Sequence, residues 1–187
     1  MSEGWVPFQP KECFLTKGVG THKDRLTSFE LALRKARIAW MNLVHVSSIF
    51  PPHCKIIPVE KGLAQMKPGQ IAYCVMARNE TNENRRLISA AVGLAIPKDP
   101  SMYGYLSEHH DYGVDDKQTG DHAEDQAANM LCTILGVDYD AEASYDKKRE
   151  IWRISDQIYK TMSATQSAHG QKGGVWTTVL AACVFVR

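Results

Sequence analysis

Residues 42–54 read NLVHVSSIFPPHC. Val44, Val46, Ile49 and Phe50 are β-branched or aromatic, which suits a covered strand, yet Ser47 and Ser48 set two adjacent hydroxyls in the middle of the run. Pro51 and Pro52 then stop it, since proline cannot donate to a sheet ladder. The expectation is a buried strand interrupted by a serine pair.

Upstream, LTSFELALRKARIAW places Phe29, Leu33 and Ala36 on one helical stripe, and Thr27-x-x-Glu30 has the form of a capping box. A short helix is expected from near Ser28 to before Met41. Gly18 and Gly20 in TKGVGTHKDR read as a loop ahead of it, one that near an active site would serve as a lid. Downstream, CKIIPVE and GQIAYCVMAR are strand-like and NETNENRR is a polar turn; LISAAVGLAIP is apolar and small, so pattern alone does not separate helix from strand, but its β-branched residues and Pro97 favour a buried strand. TGDHAEDQAANMLCTILG is the clearest helix. Asp121, Glu124 and Asp125 are expected in its first turns, Ala123, Ala127, Leu131 and Ile134 form its stripe, and Gly136 closes it. A further exposed helix is expected over AEASYDKKREIW. QIYKTMSATQSA and GGVWTTVLAACVFVR then read as two strands joined by HGQKGG. Strand runs with helices between them indicate an α/β or α+β sandwich.

Composition narrows the function classes. The 187 residues are 44% hydrophobic and 23% charged, enough for one sizeable core, and no repeat or linker divides residues 1–187, so a single domain is expected. A net charge of +1 leaves no electrostatic footprint for nucleic acid or an anionic membrane. MSEGWVPFQP has no signal-peptide pattern and VWTTVLAACVFV is too short for a bilayer helix, so a cytoplasmic protein is expected. Cysteines 13, 54, 74, 132 and 183 show no C-x-x-C spacing and read as reduced, mostly buried thiols.

A serine in a strand is ordinarily a satisfied hydroxyl. Two adjacent serines allow another chemistry. If a strained turn brings the Ser48 hydroxyl onto the Ser47 carbonyl, attack converts the amide into an ester. The ester oxygen is the better leaving group, so β-elimination then splits the chain and leaves dehydroalanine at position 48. Hydrolysis of that enamine gives a pyruvoyl ketone. Proximity and oxyanion stabilisation govern such self-processing as they govern catalysis.

The serine pair alone is unspecific, but the wider string is not. NLVHVSSIFPP, with LTSFELAL upstream and AIPKDPSMYGYLSEHH downstream, resembles the pyruvoyl-dependent arginine decarboxylases, and the resemblance runs from about Thr16 to the C-terminal strand. It implies a four-layer αββα sandwich, cleavage between Ser47 and Ser48 into a β-chain of residues 1–47 and an α-chain of residues 48–187, and a pyruvoyl group made from Ser48. It also implies that Asn42 supports processing, by polarising the Ser47 carbonyl. Glu108 is implied as the proton donor, Glu30 as the holder of the substrate guanidinium where some relatives carry aspartate, and Leu33, Met41 and Ile49 as lining residues. The implied reaction converts L-arginine to agmatine and carbon dioxide with neither pyridoxal phosphate nor metal, in a homo-oligomer of trimers or paired trimers whose active sites lie between subunits.

These roles are chemically coherent. The ketone condenses with the substrate amine and accepts electrons as carbon dioxide leaves. A carboxyl with a raised pKa, Glu108, is suited to protonating the α-carbon, and a carboxylate, Glu30, to pairing with guanidinium. Plainer readings stand beside them. Glu30 is equally the last member of the capping box, Asn42 a residue bonding backbone after the helix, Glu108 a surface acid, and His45 a packed strand histidine. Glu108, His109, His110 and Asp111 are adjacent on an extended segment and so point to opposite faces, which argues against one metal site. Two other functions remain open: the same cofactor acting on another amino acid, with Glu30 disfavouring an anionic one, and an unprocessed binding subunit.

Overall fold

The computed structural model describes residues 8–137 and 157–187. In chain order its elements are β1 (Glu12–His22), α1 (Arg25–Lys35), β2 (Asn42–His45), β3 (Ile49–Phe50), β4 (Lys55–Ile56), α2 (Val59–Leu63), β5 (Ile71–Thr81), β6 (Leu87–Pro97), β7 (Gly104–Tyr112), α3 (Asp116–Leu135), β8 (Ile158–His169) and β9 (Trp176–Val186). One sheet has the order β2-β5-β9-β1-β4 and the other β3-β7-β6-β8. The sheets stack face to face, with α1 and α2 outside the first and α3 outside the second. This is the four-layer αββα sandwich.

Three apolar layers hold it together. Continuous apolar runs arise because the central strands are covered on both faces, so successive residues feed different layers. On β9, Leu180, Ala182 and Val184 pack beneath α1, whereas Val179, Ala181, Cys183 and Phe185 meet Ile88, Val92, Leu94 and Leu106 between the sheets. A third layer joins Ala95 to Ala127, Ala128, Leu131 and Cys132 of α3. Each fully buried valine or leucine stabilises the fold by about 1.5–3 kcal/mol. The strands on either side of HGQKGG enter different sheets, so this is a connection between layers and not a hairpin within one.

Gly18 and Gly20 lie inside β1 and not in a loop. Helix α1 crosses that strand so closely that a Cβ on Gly18 would sit 2.2 Å from the Ala32 carbonyl oxygen, and one on Gly20 2.2 Å from that of Ser28. The glycines are there for helix contact, and the lid reading falls with the loop.

The capping-box expectation also fails. The N-cap of α1 is Asp24, whose Oδ1 accepts from the backbone nitrogen and hydroxyl of Thr27 at 2.8 Å each, while Glu30 pairs with Arg34. Asp24 wins because an aspartate one turn earlier can cap the helix before Thr27 is reached. The helix ends where Arg37 adopts a left-handed φ of 68° and Ile38 N–H donates to Leu33 C=O at 3.0 Å, a Schellman closure.

Other boundaries moved for local reasons. Only Lys55–Ile56 of CKIIPVE is strand, since Val59 opens α2. NETNENRR turns later than its polarity implied, because β5 runs to Thr81. α3 starts at Asp116 behind an Asp115 N-cap, which puts Asp121, Glu124 and Asp125 beyond its first turn; Ile134 is exposed, although Ala123, Ala127 and Leu131 are buried as the stripe required. The helix expected over AEASYDKKREIW lies outside the described residues.

Candidate active site

The serine stretch is not a buried strand. β2 is an edge strand beside β5, β3 is an edge strand beside β7, and the two belong to different sheets. Val44 and Ile49 are 40% and 41% exposed, and His45, expected to be packed, is exposed as well.

Ser47 and Ser48 form the crossing between the sheets. The last bond to the first sheet is Val46 N–H to Cys74 C=O at 3.0 Å, and the first to the second sheet is Leu106 N–H to Ser48 C=O at 2.8 Å. Between them Ile49 N–H donates to Ser47 C=O at 3.0 Å, an i to i+2 bond closing a γ-turn on Ser48. Ser48 keeps a negative φ, so the turn is of the inverse kind. Downstream the chain is pinned by Cys54 N–H to Pro51 C=O at 3.2 Å and His53 N–H to Pro100 C=O at 2.9 Å, with His53 held at a φ of 59°. The Ser47–Ser48 peptide is thus fixed on both sides while its carbonyl faces an N–H donor. Ser47 is exposed and Ser48 half-buried; Ser47, Val46, Ile49 and Tyr73 help line a cavity of about 460 Å³.

Glu108 sits on β7 beyond this crossing. Along the strand Leu106 faces the inter-sheet layer and Ser107 donates its hydroxyl to Ala123 C=O on the α3 side, so alternation points Glu108 toward the first sheet. Burial raises its pKa and the nearby His45 opposes that rise; the carboxyl still keeps enough exposed surface to meet a ligand. Cys74 pairs in register with His45, and its thiol is pushed up to about 12 by burial and by the Glu108 charge. Glu108 is therefore within electrostatic reach of His45 and Cys74 where β2 ends, although Cys74 itself lies in the cluster beneath α1.

The remaining expected site residues are split between layers. Glu30 on α1 accepts from Arg34 Nε at 2.9 Å and is 39% exposed, Leu33 packs against the cluster beneath α1, and Met41 is buried in that cluster. Ile49 lies on the second sheet opposite Tyr105. Within one chain Glu30, Leu33 and Met41 are thus in a different layer from Ser48, Ile49 and Glu108. The side-chain amide of Asn42 donates to Gly69 C=O at 2.8 Å and its backbone N–H to Gln70 C=O at 2.8 Å, which ties down the start of β2. The donor to the Ser47 carbonyl is Ile49.

Sequence reasoning did not find the backbone donors of Ile49 and Leu106, because every non-proline residue carries an N–H and only register shows which one meets a given carbonyl. It discounted His45 for lying between two valines. Around Glu108 the strand alternates as expected: the His109 ring lies 4.1 Å from that of His122, with Asp111 3.7 Å from its Nε2. Among the described residues no group of three or more histidine, cysteine, aspartate or glutamate side chains is placed to hold a metal ion, and no helix is long and apolar enough to cross a membrane.

Comparison with known proteins adds relatives. The profile of the family described as "Pyruvoyl-dependent arginine decarboxylase" matches residues 12–187. A protein of Chloroherpeton thalassium named "Probable pyruvoyl-dependent arginine decarboxylase" is 52% identical over 97% of this chain and 100% of its own length. "Pyruvoyl-dependent arginine decarboxylase 2" of Methanosarcina mazei is 52% identical over 95% of this chain and 97% of its own. "Pyruvoyl-dependent arginine decarboxylase" of Nitrosopumilus maritimus is 53% identical over 94% and 96%.

Proposed function

The chain belongs to the pyruvoyl-dependent arginine decarboxylase family, and from that premise we propose that it cleaves itself between Ser47 and Ser48 and then decarboxylates L-arginine to agmatine. The observation that carries this reading is the Ile49 N–H on the Ser47 carbonyl. It polarises the carbon that the Ser48 hydroxyl must attack and stabilises the oxyanion that forms there.

The Ser48 Oγ adds to the Ser47 carbonyl carbon, the C–N bond breaks, and the Ser48 nitrogen takes a proton, leaving an ester. Loss of the Ser48 α-proton expels the Ser47 carboxylate, and water replaces the enamine nitrogen with oxygen as ammonia leaves. The products are a β-chain of residues 1–47 and an α-chain of residues 48–187 starting in a pyruvoyl. Asn42 supports this by holding β2 in place through Gly69.

Position 48 fits that group, since its carbonyl already accepts from Leu106 N–H and so fixes the amide that would flank the ketone. The pyruvoyl supplies an electron sink for the bond broken in decarboxylation, without pyridoxal phosphate or metal. Glu108, whose pKa burial raises, delivers a proton to the substrate α-carbon after carbon dioxide departs. Glu30 receives the guanidinium, while Leu33, Met41 and Ile49 wall its aliphatic stem. Glu30 and Glu108 occupy different layers of one chain, so the complete site is assigned to the boundary between subunits of a trimer or a pair of trimers. The exposed Val44 and Ile49 edges are what a neighbour would cover. A cytoplasmic location completes the reading.

The test is a denaturing intact-mass spectrum followed by an arginine-to-agmatine assay. Two chains of about 5 and 16 kDa are expected, the larger about 17 Da lighter than a serine-started fragment. A single 20.9 kDa chain that persists on incubation removes the cofactor and the decarboxylase reading with it.

A further inference from the structure

Phe50, Ile56 and Ile96, which belong to the inter-sheet layer, also line a cavity of about 530 Å³ that the proposed reaction does not use. It shares only Pro51 with the cavity beside Ser47, and Ser48, Glu108 and Glu30 do not line it. Main-chain bonds hold its wall. His53 N–H donates to Pro100 C=O at 2.9 Å, Lys55 N–H to Lys11 C=O at 2.9 Å and Lys98 N–H to Gln157 C=O at 2.7 Å. Three separate stretches of the lining are thus anchored, so the cavity is formed before any ligand arrives, and its size is that of a small-molecule site.

Its charge is one-sided. Lys55, Lys98, Lys160 and His53 line it, and among its described lining residues there is no aspartate or glutamate. In a chain of 22 basic and 21 acidic residues this excess is local. Two carboxylates within electrostatic reach are already engaged: Asp99, which feels His53, accepts from the Ser101 hydroxyl at 2.7 Å, and Glu12, which feels Lys55, accepts from Lys61 Nζ at 2.8 Å. The three lysines are exposed while Phe50 is buried, so charge lies toward solvent and apolar surface away from it.

We propose that this cavity is a binding site for a small aromatic carboxylate. The ring packs on Phe50, Ile96 and Met102, with Pro51 and Pro100 as rigid walls, and the carboxylate takes charge-assisted hydrogen bonds from the lysine ammonium groups. An inorganic anion gains nothing from the apolar floor, and an uncharged aromatic gains nothing from the lysines. A guanidinium is repelled, so the cavity is not a second place for arginine. Every described lining residue lies after the Ser47–Ser48 bond, so the site does not depend on the processing reading, and cleaved and uncleaved protein carry it alike.

The experiment measures binding of naphthoate and of the uncharged naphthalenemethanol to the purified full chain by equilibrium dialysis. Naphthoate is expected to saturate one site per chain, about tenfold or more tighter than the alcohol, and to weaken as salt is added. The combined Lys98→Met and Lys160→Met variant should bring naphthoate down toward the alcohol, while Met102→Trp, which fills the floor, should weaken both ligands. The ligand pair needs no variant, so a substitution that fails to fold leaves the comparison intact. An alcohol that binds as tightly as the carboxylate would overturn the proposal, as would the absence of saturable binding at millimolar naphthoate. Naphthoate binding unchanged in both the lysine variant and folded Met102→Trp would place the ligand elsewhere and overturn it too.

Discussion

The amide nitrogen of Ile49 lies 3.0 Å from the carbonyl oxygen of Ser47, closing a three-residue turn around Ser48. A peptide bond held in this way has its electrophile polarised and its flanking segment immobilised before any reaction begins. Removing that single donor tests whether the turn is what makes the bond reactive. Ile49→Pro, which lacks the N–H, is expected to slow chain cleavage by about a hundredfold or more in a time course of intact mass, while Ile49→Val retains the wild-type rate. Equal rates for proline and valine would remove the turn from the mechanism.

In the proposed cleavage the two serines have unequal duties: Ser48 would contribute the attacking oxygen and the carbon that becomes the ketone, whereas Ser47 would contribute only a main-chain carbonyl. Ser48→Ala should therefore remain a single chain of 20.9 kDa with no decarboxylation, and Ser47→Ala should still cleave. The reverse pattern on a denaturing gel would assign the nucleophile wrongly.

In the proposed reaction Glu108 acts as an acid, and burial favours its protonated form. Burial raises its pKa above 4.5 and His45 opposes this. Activity should thus fall as pH rises through the folded-state pKa of Glu108. His45→Gln removes a positive charge that favours the carboxylate, so the alkaline limb of the kcat profile should move upward. Glu108→Gln should keep cleavage and lose about 10²–10⁴-fold in kcat. Linkage gives a second readout. A raised folded pKa contributes stability in acid that is lost as pH climbs from the ordinary glutamate value through the raised one, so Glu108→Gln should lose less stability over that window in urea titrations.

Glu30 already holds a guanidinium, that of Arg34 four residues along α1. If Glu30 holds the substrate guanidinium as proposed, arginine must share or displace it. An exposed pair at this spacing is worth about 0.3–0.5 kcal/mol, so Arg34→Met is expected to lower KM for arginine about twofold. Glu30→Gln should raise KM about tenfold or more, because a charge-assisted bond is lost. A higher KM in Arg34→Met would show that Arg34 assists binding instead of competing for the carboxylate.

The approach of α1 to β1 leaves no room for a side chain at position 20. Gly20→Ala would put a methyl 2.2 Å from the Ser28 carbonyl oxygen, forcing α1 off the sheet. A loss of about 1–3 kcal/mol is expected in denaturant unfolding. Unchanged stability would mean that the helix can shift freely, and the position of Glu30 would then be loose as well.

Much of this is legible in the sequence. Apolar pattern alone does not separate helix from strand over Leu87–Pro97, where β-branched residues and Pro97 favour the strand that forms; Trp176–Val186 reads as a strand, and Ala123, Ala127 and Leu131 mark a helix stripe. The α1 boundary was misplaced because Thr27-x-x-Glu30 and Asp24 are both acceptable caps by local chemistry, and geometry at the helix start selected Asp24. Gly18 and Gly20 read as a loop in sequence because glycine looks the same whether it supplies a turn or makes room for a neighbour. The exposure of Val44 and Ile49 was hidden because a β-branched pattern reports strand preference and not which edge the strand occupies.

By itself the sequence determined what depends on residue identity and near neighbours: the alternation of the covered strands, the serine pair with its prolines, and the string that points to a family. Tertiary structure alone decided what depends on residues far apart in the chain. The Ser47–Ser48 bond bridges two sheets, Leu106 meets the Ser48 carbonyl, and Glu108 comes within electrostatic reach of His45. Such pairings are set by the register of strands and the stacking of layers, and the free energy that fixes them comes from burying all three apolar layers at once.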